Sequence, residues 1–506
     1  MKTERNTEYS SSRQIMKGMQ QMNTLPSFLL SSFRYSLTKE RNNMLAIFAP
    51  RPRRARFATL IAVLASVVWA GTALIAGPGT AFAEETFSKT STITVPGGLN
   101  SFDIGFVDPQ LGLYFLADRT NATIDQVVTS TNAISQLAKG SFVGVQPGTD
   151  TSGPNGVITA NDHSEVWAAD GVLCNGPCGA TTPATQTSRV QVIDLKTGKV
   201  THTIDNGGQR RADELCEDPQ HHLVLVANDD ELDLFLTFIS TESYKIVGKI
   251  HLDGSDRNAQ NIKATNGIEQ CQWSPRTEKF YLAIPEVNGG SNPLNLPNQK
   301  PGAVLEINPV SMKVQKVFPI EFGFVAGPPA TADCLGPQGL AIGPQREILL
   351  GCSNAGKGSV IINEIDGSLV RNLPGLNGND EVWYNPGDNH YFLAGSNHPA
   401  ALGGPILGVV DQSADNGNED ASVTTAAGSH SVAADPVKNQ VYVPGNKAAT
   451  TLCGGSNGCI AVFTTTNDDP GLCLGPGTPA DGQGKQGDPG FLRHVCPDNN
   501  GHPNED

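Results

Sequence analysis

Aromatic side chains are scarce in this 506-residue chain, which has 4 Trp, 8 Tyr and 19 Phe. Protein interfaces draw their anchors from Trp and Tyr, and the long loops described below have almost none, which leans against a protein-docking face. Basic residues are also in deficit. Lys and Arg number 35 against 50 Asp and Glu, a formal charge of −15. A surface of that sign repels nucleic acid and anionic lipid. Several motifs are missing. No GxSxG forms an elbow after a strand (the match at Gly454 to Gly458 lies in the short Cys453/Cys459 loop), and there is no HExxH, no Walker loop and no GxGxxG after a strand. These absences count against an α/β-hydrolase, a zincin, a nucleotidase and a Rossmann dehydrogenase, so no nucleotide cofactor is expected. No Cys-x-x-Cys spacing occurs, which argues against a zinc ribbon, a thioredoxin motif and a Cys-x-x-Cys-His haem site. Beyond residue 76 no apolar run is long enough to span a bilayer.

The one long apolar run lies near the start. Arg51, Arg53, Arg54 and Arg56 precede an apolar stretch from Phe57 to Ala76, followed by Ala81-Phe82-Ala83. A basic region, an apolar region and a small-x-small site make a signal peptide, with the mature chain starting at Glu84. Arg53-Arg54 with Phe57 close behind looks like a twin-arginine export signal, though the residues after the arginines depart from that motif and ordinary secretion is the alternative. The leader, residues 1–83, holds 11 of the 35 basic and 3 of the 50 acidic residues, which leaves a mature chain near −23. A periplasmic or secreted protein, free of the membrane once mature, is expected. All 10 cysteines follow the leader, and an even count in an exported chain predicts disulfides. Cys174/Cys178 and Cys453/Cys459 are spaced to close small loops, and Cys473 and Cys496 to pin the tail. Cys216, Cys271, Cys334 and Cys352 lie in or beside repeats, where they cross-link blades or stay buried.

What the chain has in abundance is one phrase. SFDIGFVDPQLGLYFLAD, from Ser101, reads as a strand, a tight turn and a second strand. Related phrases start near Gly153, Arg211, Gly267, Gly336, Asn379 and Ser429, making seven, with turn residues Pro109, Asn161, Pro219, Pro275, Pro344, Pro386 and Pro436 at one offset. Strand units repeating every 40 to 70 residues predict an all-β, seven-bladed β-propeller over residues 84–466. Each phrase is followed by two further strand candidates. Blade six offers residues 406–411 and 421–427. Blade seven offers only residues 459–464. The segment Thr86 to Val95 supplies its missing strand, a Velcro closure that removes the open edge. Residues 467–506, rich in Gly, Pro and Asp, read as a tail.

Alignment of the repeats puts one polar residue per blade at the start of the inner strand: Asp103, Asn155, Asp213, Glu269, Gln338, Asp380 and His430. In a propeller these surround the mouth of the central channel. The mouth-side loops are long, and binding residues collect on such loops. Converging carboxylates are screened, protonated or held by a cation. Their oxygens suit a hard divalent ion such as calcium, with zinc the other candidate. His430, between Asp380 and Asp103, is a candidate general base. Gln338 and, on the long-loop face, His398 are candidate substrate contacts. Glu214 and Glu381 follow ring positions directly, and strand alternation turns them away from the axis, to pair between blades. His163 and His221 sit in turns and are expected in solvent.

Phrases such as SVAADPVKNQVYV resemble the YncE-like (YVTN-repeat) propellers, exported bacterial proteins. EQCQWSPRTEKFYLA, from Glu269, and PNGVITANDHSEVWAAD, from Pro154, are similar to phrases of the gluconolactonase (senescence-marker) family. That second resemblance implies a divalent metal that polarises a lactone carbonyl, with Glu269 and Asn155 as ligands. The family's third ligand, an Asp, falls on Asp213 or Asp380. The combined expectation is a monomeric, metal-assisted lactonase, hydrolase or lyase acting on a small molecule. Asp103, Asp380 and His430 are its catalytic group, and Glu269, Asn155 and Asp213 its metal set. The alternative is a non-catalytic ligand- or protein-binding propeller of the cell envelope. N-terminal sequencing of the exported protein tests the leader: the first residue read should be Glu84, and a chain still carrying Phe57 to Ala76 would contradict cleavage.

Overall fold

Burial along the strands sorts them by depth. In Glu165–Asp170 and Leu223–Asn228 every residue is buried, as expected of a strand covered on both faces. Lys199–Asp205 and Lys245–His251 mix exposed and buried positions, as outer strands do. A computed structural model describes residues 87–147, 151–173, 186–229, 234–290, 296–411 and 419–465. The leader, the tail and the Cys174/Cys178 and Cys473/Cys496 pairs lie outside them.

The described strands form seven antiparallel sheets of four strands each, the blades of a seven-bladed propeller. Blade one runs through Gly105–Asp108, Leu113–Asp118, Thr123–Val128 and Ala133–Leu137, from the axis outwards. Blades two to six repeat that order. In blade seven, Phe87–Ile93 pairs along Cys459–Thr465, with Phe87 opposite Thr465 and Ile93 opposite Ile460. The first strand of the chain thus completes the last blade, as the sequence predicts. Phe87 and Ile93 enter two separate apolar clusters at this seam.

One outer strand differs from expectation. In blade six it is Glu419–Thr424 rather than residues 421–427. Its partner begins at Ile406, which sits opposite Thr424, so later residues have no ladder to join. A register shift between Val409 and Val410 brings Glu419 into pairing at the other end.

Three disulfides occur among the described residues: Cys216–Cys271, Cys334–Cys352 and Cys453–Cys459. The first joins the inner strands of blades three and four. Three such bonds fit an oxidising compartment. Cys216–Cys271 spans 55 residues, a loop whose closure is worth about 4 kcal/mol. Replacing both cysteines with alanine should lower unfolding free energy in denaturant by roughly that amount. A loss below about 1 kcal/mol would show that the blades hold this junction without the bond.

Candidate functional site

The mouth of the channel is built by backbone pairing. In five blades the ring residue's N–H donates to an alanine carbonyl on the second strand: Asp103 to Ala117, Asn155 to Ala169, Asp213 to Ala227, Glu269 to Ala283 and Asp380 to Ala394. The next amide reaches sideways. Ile104 N–H donates to Asn155 O, Gly156 to Asp213 O, Gln270 to Gln338 O and Glu381 to His430 O. Inner strands therefore converge until they touch. Gly156 and Gly339 lie in that second layer, where a Cβ would overlap the carbonyl oxygens of Asp213 and Asp380. This explains the glycine in the Pro-Asn-Gly and Pro-Gln-Gly phrases.

The structure gathers all seven predicted positions at one end of the channel and adds side chains the sequence reading missed. Arg119 donates to Asp103 and to Asn155 Oδ1, from Nε at 3.0 Å and from Nη2 at 2.7 Å. Arg211 bridges Asp213 at 2.8 Å and Asp229 at 3.0 Å. A parity signal was available. Arg119 and Asp229 each lie two residues past the paired alanine, Ala117 or Ala227, and Arg211 lies two before Asp213. Side chains two apart along an extended strand share a side.

The ring divides into two arcs. Asp103, Asn155 and Asp213, in blades one to three, are buried and tied down by the two arginines. Asn155 also donates from Nδ2 to Ala212 O at 2.6 Å. Glu269, Gln338, Asp380 and His430, in blades four to seven, are half-buried. Gln338 Nε2 donates to Asp380 Oδ1 at 3.3 Å. No donor of the described chain reaches the Glu269 carboxyl.

Charge state follows from these contacts. Burial alone would raise Asp103, but the Arg119 guanidinium and the His430 hydrogen bond hold it well below the usual carboxylate range. Burial, with Asp103 and Asp229 nearby, pushes Asp213 up to about 8 against the pull of Arg211. Burial and the charges of Asp229, Asp380 and Asp213 push Glu269 well up. Asp380 is raised by burial and Asp103, against His430.

His430 faces acceptors at both ring nitrogens, with Gly428 O 2.9 Å from Nδ1 and Asp103 Oδ1 3.1 Å from Nε2. A carbonyl only accepts, so both nitrogens donate and the imidazolium is favoured. Burial opposes that charge, yet the Asp103 hydrogen bond and the Asp380 charge raise the ring above its ordinary value. Phe102 stacks on it at 5.0 Å, which suits a cation. His430 is thus a charged donor, and the sequence-based role of general base does not fit its contacts. Asp103 and Asp380, expected beside it as catalytic groups, instead hold that charge.

The implied divalent metal does not fit its expected donors either. Asn155 spends its amide on Arg119 and Ala212, Asp213 is paired to Arg211, and burial with neighbouring carboxylates raises Glu269 well above its usual range. Two guanidiniums at the same site oppose a divalent charge. Among the described residues, no three His, Cys, Asp or Glu side chains converge as a metal's donors do. Gln338 stays at the mouth. His398 does not join the ring through any hydrogen bond. It is buried in its loop, with its nitrogens against Asn377 O at 3.1 Å and Leu402 O at 3.3 Å.

Glu214 and Glu381 correct another expectation. They do not turn away from the axis. The charge of Glu381 acts on Glu214 across the channel, although they belong to blades three and six. Alternation misleads here because the strands start one residue later, at Leu215 and Val382. One step below the ring, the two carboxyls form a floor to the mouth. Gln270 crosses at the same level, accepting from Leu340 N–H at 2.6 Å and donating to Val382 O at 3.2 Å. Burial and the charge of Glu381 push Glu214 well above the usual range, and burial with the charges of Asp380, Asp103 and Glu269 does the same to Glu381. On the opposite face, His163 is more than a solvated turn residue, since its Nδ1 lies 2.5 Å from Asp108 Oδ2 of blade one. His221 bonds Asp218 within its own turn.

No protein-family model matches the chain, and no curated protein matches it. Among solved structures, a chain in a crystal structure of the mitotic checkpoint complex is similar at 11% identity and a TM-score of 0.48, covering 78% of this chain and 98% of that one. The Pan2 WD40 domain of Neurospora crassa is similar at 9% identity and a TM-score of 0.46, covering 77% and 98%. Neither match names the YVTN-repeat or gluconolactonase family.

Raised carboxyls give a pH signature. Asp213, Glu214, Glu269, Asp380 and Glu381 bind protons in the folded chain at pH values where an unfolded carboxyl, near 4, has lost them. The raised His430 acts in the same sense. Stability is therefore greatest below the unfolded values and falls as pH rises through about 5 to about 8. Depressed Asp103 adds stability above about 4 that is lost only in stronger acid. Thermal melts from pH 5 to 8.5 should show a falling midpoint in the wild type and a flatter slope in Glu381→Gln. A midpoint that rises over that range would contradict the assignment.

Proposed function

We propose that this protein is an exported propeller that binds a small polar molecule at its channel mouth without transforming it. The division of the ring carries this reading. Blades one to three form a wall whose charges are already paired. Blades four to seven present Glu269, Gln338 and Asp380, half-buried and facing the axis, as a compact set of acceptors beside His430. A few convergent polar groups on a rigid scaffold are what a small-ligand site requires. The ring positions contain no Ser, Thr, Cys or Lys to act as nucleophile, and the one histidine is committed as a donor at both nitrogens. The disulfides and the leader support an oxidising, exported setting.

A ligand-observed NMR screen of small polar metabolites tests this reading. Binders should appear with the wild type and disappear in the Glu269→Gln, Asp380→Asn double variant, with aldonolactones left intact. Lactone hydrolysis abolished both by a chelator and by Glu269→Gln would contradict it and restore the metal-assisted enzyme.

A further inference from the structure

The mouth and the layer beneath it contain more acid than base. Blades one and three bring Asp103, Asp213, Glu214 and Asp229. Blades four and six bring Glu269, Asp380 and Glu381. Against these seven carboxyls stand three cations. Arg119 is bonded to Asp103, Arg211 to Asp213 and Asp229, and His430 to Asp103. Glu214, Glu269, Asp380 and Glu381 form no ion pair within the described chain.

The floor gives a second, independent observation. Glu214 and Glu381 are 4% and 5% exposed, and no donor of the described chain bonds either carboxyl. Buried carboxyls without a donor cannot all ionise unless positive charge is brought to them. The floor thus calls for positive charge, which a proton or a bound cation supplies.

Building on the small-ligand reading above, we propose that the ligand of this mouth is a protonated amine, and that its binding expels protons from the mouth and its floor. An ammonium group brings three N–H donors and one positive charge. The open arc offers the matching acceptors in the carboxyls of Glu269 and Asp380 and the Gln338 amide oxygen. A neutral polyol supplies donors but no charge, so the protons stay. An anion finds no free cation on this arc and gains nothing from carboxyls that its own charge keeps protonated. Burial and neighbouring charge, which raise these acids, set the sign of the coupling. Each bound positive charge favours ionised carboxyls, so affinity rises with pH, about tenfold per unit for each proton released.

Titration calorimetry on the mature protein decides the matter. The probe is 1,4-diaminobutane at pH 6, 7 and 8, in two buffers of different ionisation heat, with glucitol as the neutral control. The diamine should bind with heats that differ between buffers, and its affinity should rise about tenfold per pH unit. Glu381→Gln should release fewer protons; if that variant does not fold, the wild-type buffer comparison decides alone. Diamine binding that ignores pH and buffer overturns the proposal. Binding of glucitol but not the diamine overturns it too, while leaving a polar-ligand site at the mouth. Binding of neither counts against both readings.

Discussion

Seven inner strands converge on one axis, and their first side chains cannot avoid one another. The backbone fixes this before any side chain is chosen. An amide bonded to its own second strand is followed by an amide bonded to the next blade, and the side chains between are turned into the channel. Polar residues there must settle their charges locally, because little water reaches them. Most of what distinguishes this propeller from a bare scaffold follows from how it does so.

Two solutions coexist around the ring. On one side guanidiniums neutralise the acids, forming a stiff wall from Asp103 to Asp229. On the other side the cation His430 is bonded to Asp103, and Glu269, like Glu214 and Glu381 in the floor, is raised with no cation bonded to it among the described residues. The first solution costs little in water exclusion because each charge is met by a bonded partner. The second leaves a neutral surface that becomes anionic when something positive arrives. Selectivity at such a site comes from charge, since the half-buried contacts are few.

Much of this architecture was legible in the chain. Repeated turn prolines and alternating strands mark seven blades, and the unpaired Thr86 to Val95 segment foretells the closure formed by Phe87–Ile93. The seven ring positions were also readable, since one offset in each phrase is polar. What escaped lay in the pairing. Arg119 and Arg211 belong to the mouth by strand parity, yet they stand outside the aligned offset. Glu214 and Glu381 were misassigned because alternation was applied one residue too early, before Leu215 and Val382 begin their strands. The role of His430 turned on what faces its second nitrogen, the Gly428 carbonyl, and a sequence does not display such a contact.

Protons held between converging acids are the core of this description, and they can be observed directly. Carbon-13 NMR of the side-chain carboxyls, followed from pH 4 to pH 9 in the mature protein, reads each group's state. The expected result is that Glu214, Glu269 and Glu381 keep protonated shifts at pH 6, while Asp103 is already ionised at pH 4. Uniform titration of all four near pH 4 would contradict it.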